Sequence, residues 1–337
     1  MHAGVTADRF HQKAFEKPEE RHTIAGSNRV GKQKKGTGRP SIVDVPEEMH
    51  YEGLIIRPPS EAFSILLQVT VGCSHNKCTF CGSYREERFR IKDDATILND
   101  ILFAARYMRH QHRIFLLDGD ALIVPQEKLI WILEEIRRHL PWVRRVGAYA
   151  NAKSIKMKTD EHLAALREKG LGILYLGVES GDDETLRRVG KGTTATNLIL
   201  QGRRVKEAGI KLSVTVLLGI AGPTGSLNHA RGTGEVLSAM DPDYVGALTV
   251  MVLPNTPLGA DHASGRFTLP GKRALLTELR EMIAHTHLSG GLFFANHASN
   301  YLPLKARLPK DREQALRLID EAIRGEKPLK PEWLRGL

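Results

Sequence analysis

Phe63-Ser64-Ile65-Leu66-Leu67-Gln68-Val69-Thr70-Val71-Gly72-Cys73-Ser74-His75-Asn76-Lys77-Cys78-Thr79-Phe80-Cys81 joins an apolar run to every cysteine the chain has. From Phe63 to Val71 the residues are mostly apolar and rich in branched side chains, which predicts one buried β-strand. Gly72 then permits a sharp exit turn. The 3 cysteines of the 337-residue chain follow at spacings of five and three. An odd cluster of thiols does not suit a disulfide framework, and a secreted scaffold would carry more of them. Three thiolates on one loop suit a metal site with a coordination position left for chemistry. Zinc would add a fourth ligand, such as His75, and form a closed structural site. An iron–sulfur cubane would use the three sulfurs for three irons and leave the fourth iron free. The absence of a second Cys-x-x-Cys half favours the cluster. In parallel α/β barrels, loops at the C-terminal ends of strands carry the active site, and these thiols lie in such a loop.

Outward from this point the chain repeats a strand-then-helix rhythm. Ile114–Leu117 reads as a strand ending in Asp118-Gly119-Asp120, and Pro125 opens a helix with Leu129, Leu133, Ile136 and Leu140 on one face. Val146–Ala150 reads as a third strand; Thr159 caps the next helix and Gly170 ends it. Leu171–Val178 is a fourth strand, Thr196–Ala208 a helix stopped by Gly209, Leu212–Leu218 a fifth strand and Val245–Leu253 a sixth. Such alternation implies an α/β fold with a parallel sheet covered by helices. Six units between Phe63 and Pro254 are too few for a complete eight-unit barrel of about 250 residues. They predict a partial (β/α)6 TIM-like barrel.

With these motifs in order, the chain resembles the radical S-adenosylmethionine (SAM) superfamily. Members carry a Cys-x3-Cys-x2-Cys loop after the first strand, with an aromatic residue just before the last cysteine. Phe80 fills that aromatic position, and the first interval here is four residues instead of three. The likeness is to a short branch with a Cys-x4-Cys-x2-Cys motif, distantly similar to oxygen-independent coproporphyrinogen oxidase-like proteins. It implies a [4Fe-4S] cluster on Cys73, Cys78 and Cys81, with SAM bound at the remaining iron. Asp118-Gly119-Asp120 looks like the Gly-Gly-Glu motif that meets the ammonium of SAM, with Asp118 in place of the first glycine; an ordinary acidic loop is the bland alternative. Gly177-Val178-Glu179-Ser180-Gly181 is similar to a motif whose polar residues bond the ribose, which points to Glu179 and Ser180. A carboxylate that merely opens the next helix would look the same. Lys191 is the choice for pairing with the SAM carboxylate, with Arg188 behind it, and a solvated lysine is its rival. Ile220, after the fifth strand, is a candidate adenine wall, Met251–Pro254 a candidate adenine edge, and Thr215 a candidate neighbour of the ribose.

The resemblance implies reductive cleavage of SAM to methionine and a 5′-deoxyadenosyl radical that takes hydrogen from a substrate. Cluster potentials span about −700 to +450 mV, and this step needs the low end, hence an electron donor such as flavodoxin or ferredoxin. With one triplet of cysteines no auxiliary cluster has ligands, and the polar first 50 residues hold no cobalamin-binding pattern. The expected substrate is a small molecule of unknown identity. Residues 1–50 read as a basic, disordered arm, nearly all basic or small from Arg29 to Arg39, and the chain carries a net charge of +10. Such an arm suits RNA, so an RNA-modifying radical SAM enzyme is one alternative. A non-catalytic nucleic-acid-binding protein with a structural zinc or iron–sulfur site is another, though a plain soluble extension is the commoner role. Residues 51–264 are expected to form the core, and 265–337 an α+β segment that closes the barrel and shapes the substrate pocket. In that segment Arg273–His287 reads as a helix, Leu292–Asn296 as a strand, and Asp311 as the cap of a last helix bearing Leu316, Ile319 and Ile323 and ending at Gly325. His297, Asn300 and Tyr301 are candidates for substrate contact or for holding the lid. No stretch approaches the roughly 20 apolar residues of a membrane span. A cytoplasmic, reducing setting suits free thiols and an oxygen-sensitive cluster.

Overall fold

The chain is described by a computed structural model over residues 48–336. All but the last three residues of the expected basic arm lie outside that range. Among the described residues ten strands form in chain order: β1 (Ile65–Leu67), β2 (Thr70–Val71), β3 (Arg90–Ile91), β4 (Arg113–Leu116), β5 (Arg145–Ala150), β6 (Leu171–Glu179), β7 (Lys211–Leu218), β8 (Tyr244–Thr249), β9 (Leu292–Phe294) and β10 (Lys305–Arg307). The helices are α1 (Asp94–Tyr107), α2 (Gln126–His139), α3 (Ala152–Lys156), α4 (Asp160–Glu168), α5 (Asp183–Arg188), α6 (Ala195–Glu207), α7 (Gly222–Met240), α8 (Pro257–Ala263), α9 (Lys272–Ala284) and α10 (Arg312–Arg324). The main sheet runs β1-β4-β5-β6-β7-β8-β9-β10. Every neighbouring pair from β1 to β9 is parallel, and β10 returns antiparallel to β9. Spatial order equals chain order, so each crossover adds its strand on the same side, as in a barrel. Among the described residues no pairing joins β1 to β10, so the barrel is partial.

One face of the sheet is fully buried under helices. Leu174, Leu176, Val214, Val216, Val245 and Ala247 pack with Leu198, Val205, Leu237 and Leu279 in the main core. The alternate residues of the same strands face the lumen. Phe115, Leu117, Ile173 and Tyr175 form a separate small cluster there, with Tyr149 and Tyr244 against it. The period of two thus splits each strand between a helix-covered side and an inner side.

The expected first strand is broken. Phe63 is 82% exposed, β1 stops at Leu67, and Thr70–Val71 pair with Arg90–Ile91 in a separate ribbon. Buried Gln68 explains the break. Its side-chain amide bonds the backbone of Glu52 in both directions and also reaches Asp118 Oδ2 at 3.0 Å. The sixth strand is shorter than expected. On its β9 side the ladder gives way to side chains at Thr249, whose N–H donates to Asn300 Oδ1 (2.8 Å) and Ser299 Oγ (3.1 Å), while the Val250 N–H still donates to the Leu218 carbonyl of β7. Thr159 caps α4 through a reciprocal box with His162, as its sequence suggests. Asp311 precedes α10 but does not cap it, because its carboxylate accepts the Arg307 N–H instead. The segment after residue 264 contributes β9 and β10 to the same sheet as the preceding strands.

The turn after β6 lies flat on α7. A Cβ at Gly181 would stand 2.1 Å from the Gly232 carbonyl oxygen, and that contact is backbone on both sides. Gly181→Ala is therefore expected to destabilise the protein by about 3 kcal/mol, the upper end for forced overpacking. Denaturant titration checks this; an unchanged midpoint would mean the turn and helix are not in contact.

Candidate metal and cofactor site

The three cysteines are free thiols, each half-buried, on the loop between β2 and β3. Arg85 holds that loop closed, donating from Nε to the Cys81 carbonyl (2.8 Å) and from its terminal nitrogen to the Cys78 carbonyl (2.7 Å). Asn76, at a positive φ of 42°, donates to the Tyr84 carbonyl at 2.6 Å. The loop is also sewn to the turn after α5: the Thr79 N–H donates to the Val189 carbonyl, and His75 Nε2 lies 2.7 Å from the Gly190 carbonyl. Burial pushes the Cys78 thiol up to about 11, with Glu179 and the other two thiols adding to the rise and Lys191 opposing it. Burial raises Cys73 as well. Thiols so placed resist ionising alone, and a bound cationic metal reverses that preference.

This donor set fits a cubane better than a single ion. His75 Nε2 is held by the Gly190 carbonyl, which leaves only Nδ1 of that ring as a donor on the loop. Among the described residues, no three His, Cys, Asp or Glu side chains surround a point that one ion would occupy. In a cubane each thiolate meets a different iron, so three sulfurs need not converge on one point.

Asp118, Gly119 and Asp120 follow β4 directly beside this loop. Asp118 adopts φ 74° and turns its carboxylate inward, where Oδ2 accepts from the Gly72 N–H (2.8 Å) and from Gln68. It thus clamps the entrance of the cysteine loop. Gly119 lets the two backbones touch, because a Cβ there would stand 2.7 Å from Cys73 Cβ and 3.0 Å from its sulfur. Asp120 is fully buried and accepts from Ser74 Oγ (2.5 Å) and Asn151 Nδ2 (2.6 Å) through Oδ2. Its Oδ1 has no partner among the described residues. Burial raises Asp118 and Asp120 to about 6 each. An orphaned acid oxygen next to the thiol loop is an acceptor suited to an ammonium group.

Glu179 ends β6 in a left-handed conformation (φ 64°), after a register shift between Gly177 and Glu179. Its Oε1 pairs with Lys191 Nζ at 2.9 Å, with the two side chains only 10% and 12% exposed. Burial alone would lower the Lys191 pKa, but Glu179 and the thiols of Cys78 and Cys73 more than offset it and hold the ammonium charged. Lys191 therefore sits between the carboxylate and the cysteine loop. Arg188 instead donates to the Ile220 carbonyl at 3.2 Å. Ser180 points away from the lumen into the core, with Oγ 2.8 Å from His229 Nδ1. Ile220 is fully buried with Val189, Leu217 and Phe267, and Phe80 packs on the same cluster. Thr215 is half-buried on the inner side of β7. Asn300 and Tyr301 have structural partners: Asn300 bonds Thr249 and the Ala247 carbonyl, and Tyr301 donates to Glu332 at 2.7 Å. His297 Nδ1 lies 2.9 Å from Ser299 Oγ.

Sequence reasoning missed Gln68, Arg85 and Asn151, which orient the site from outside its motifs. Arg85, four residues past the last cysteine, is the nearest of the three to the motif in sequence.

The family model of the Radical SAM superfamily matches residues 67–226. Over 176 residues the chain is 26% identical to the 4′-phospho-dehydrooxetanocin synthase of Priestia megaterium, covering 46% of this chain and 23% of that protein. Over 158 residues it is 23% identical to the heme chaperone HemW of Bacillus subtilis, covering 47% of this chain and 41% of that protein. It is also 23% identical over 297 residues to an uncharacterised protein of Methanocaldococcus jannaschii, covering 81% of this chain and 80% of that protein. The chain spans less than half the length of the first two.

Proposed function

Because this chain belongs to the radical SAM superfamily, we propose that it is an enzyme holding a [4Fe-4S] cluster on Cys73, Cys78 and Cys81, with SAM bound beside it. When bound, the cluster supplies the electron that splits SAM into methionine and a hydrogen-abstracting 5′-deoxyadenosyl radical. The protein's share is to bind, orient and exclude water. The free Oδ1 of Asp120, with the backbone around Gly119, receives the SAM ammonium. Glu179 and Lys191, now bonded to each other, exchange partners: the ribose hydroxyls donate to Glu179 and the SAM carboxylate accepts from Lys191. Phe80 and the Leu217–Ile220 cluster form the apolar side. The observation that carries this reading is the meeting of three half-buried thiols, an orphaned carboxylate oxygen and a buried Glu–Lys pair at one end of the sheet.

The substrate is a small molecule, and a flavodoxin or ferredoxin delivers the electron in a reducing, cytoplasmic setting. Among the described residues no helix is long and apolar enough to cross a membrane. The relatives with named roles include a synthase, a heme chaperone and a probable threonylcarbamoyladenosine tRNA methylthiotransferase, so their roles diverge and transfer no substrate. Electron paramagnetic resonance of the reduced, reconstituted protein tests the binding step: adding SAM shifts the cluster signal, and a signal that ignores SAM contradicts the proposal. The basic stretch Arg29–Arg39 favours RNA as a second substrate class. Removing residues 1–41 separates the two, since activity on RNA would fall while activity on a small molecule would persist.

A further inference from the structure

Behind the cofactor site lies a buried polar chain that no step above uses. Ser180 Oγ lies 2.8 Å from His229 Nδ1 on α7 and also accepts the Asp182 N–H at 3.0 Å. The other ring nitrogen, Nε2, has no hydrogen-bond partner among the described residues and stands 3.5 Å from Glu278 Oε1 on α9. Glu278 Oε1 accepts the Gly219 N–H at 2.6 Å, and its Oε2 accepts from Ser226 on α7. His229 and Glu278 are both 0% exposed. The chain therefore starts at the residue after Glu179 and ends one residue before Ile220. It joins the ends of β6 and β7 from the side of the sheet that faces away from the lumen.

Such groups are costly to bury. Burial lowers His229 to about 4 and raises Glu278 to about 7, so each is held against its preferred charge state. A merely cohesive contact between α7 and α9 is met more cheaply by apolar side chains of similar volume. What an apolar pair would not do is take the Gly219 N–H and the Ser180 hydroxyl at fixed positions. Binding groups must be held within about 0.5 Å of productive geometry by supporting hydrogen bonds. We propose that His229 and Glu278 are positioning residues that set the spacing between the two strand ends receiving the nucleoside part of SAM. The inference rests on the cofactor reading given above. It assigns to α9, outside the 67–226 match, a share in the cofactor site.

The test measures S-adenosylhomocysteine binding to cluster-loaded protein by calorimetry, together with iron content and thermal midpoint. Glu278→Leu is expected to weaken binding by about tenfold, the scale at which loss of a supporting partner acts on a site, with iron content unchanged. Glu278→Gln keeps an acceptor for Gly219 and a group for Ser226, so its affinity stays within about twofold of the parent protein. In turnover, the Glu278→Leu change falls on the KM for SAM more than on the rate at saturating SAM. Equal affinity in Glu278→Leu and parent, or a loss shared equally by Glu278→Gln, overturns the inference. Should Glu278→Leu fail to fold, His229→Gln is measured against His229→Ala. Restored affinity in the glutamine variant supports positioning; equal affinities overturn it. A parent protein that loads iron but binds no S-adenosylhomocysteine sinks the cofactor reading itself.

Discussion

Cys78→Ala is expected to leave the fold intact and remove almost all bound iron after anaerobic reconstitution. Each cysteine answers for one iron in a three-thiol cubane, and among the described residues no second group of three His, Cys, Asp or Glu side chains could replace it. His75 Nε2 is held by the Gly190 carbonyl. Losing a partner behind a metal ligand typically costs 10–100-fold, so losing the ligand should lower SAM cleavage by more than about 100-fold. Circular dichroism should change little, because the loop's closure rests on Arg85 bonding the Cys78 and Cys81 carbonyls, which the alanine variant retains. Iron assay and 5′-deoxyadenosine yield read the result. Parent-like values for both would remove Cys78 from the ligand set.

Lys191→Met carries the second large effect. The Glu179–Lys191 pair is nearly sequestered, and removing one partner strands the other charge. Breaking a buried pair costs about 3–5 kcal/mol. The stranded carboxylate stays buried without its partner, and that unpaired charge is the source of the penalty. Adding Glu179→Gln to Lys191→Met is expected to recover most of the stability while SAM affinity stays low. Denaturant melts on the single and double variants, paired with SAM titration, separate the two roles. A double variant that regained both stability and SAM binding would make the pair structural only.

The cysteine loop was legible because its three ligands are neighbours along the chain and need no folding to be seen together. The strands at β4 to β8 were legible for a related reason, being apolar runs bounded by glycine and charge. Helix α7 was not. Its buried side is built from Ser226, His229, Thr233 and Gly234 among the apolar residues, so the apolar stripe that marks a helix is diluted. Each answers to a different partner: Thr233 takes the Gly181 N–H, His229 meets Ser180, Ser226 donates to Glu278, and Gly234 lets His285 and Met282 approach. The motif assigns Asp118 to the SAM ammonium; its Oδ2 is taken by Gly72 and Gln68, while its Oδ1, like that of Asp120, has no partner among the described residues. That clamp spans more than forty residues of chain, and nothing local encodes it. Ser180 turned toward His229 for the same reason: its partner lies 49 residues away, in the helix the sequence did not reveal. The sequence shows the strand at Leu292–Asn296 that becomes β9, but not that it joins the barrel sheet, and β10, with three residues, is too short to show a period.

The most direct measurement reconstitutes the full chain anaerobically with iron and sulfide, reduces it in the presence of SAM, and quantifies bound metal and 5′-deoxyadenosine together. About four irons per chain, as a single cubane requires, with 5′-deoxyadenosine formed in step with methionine, is the expected result. A chain that retains one zinc, takes up no iron and leaves SAM uncleaved would contradict the account.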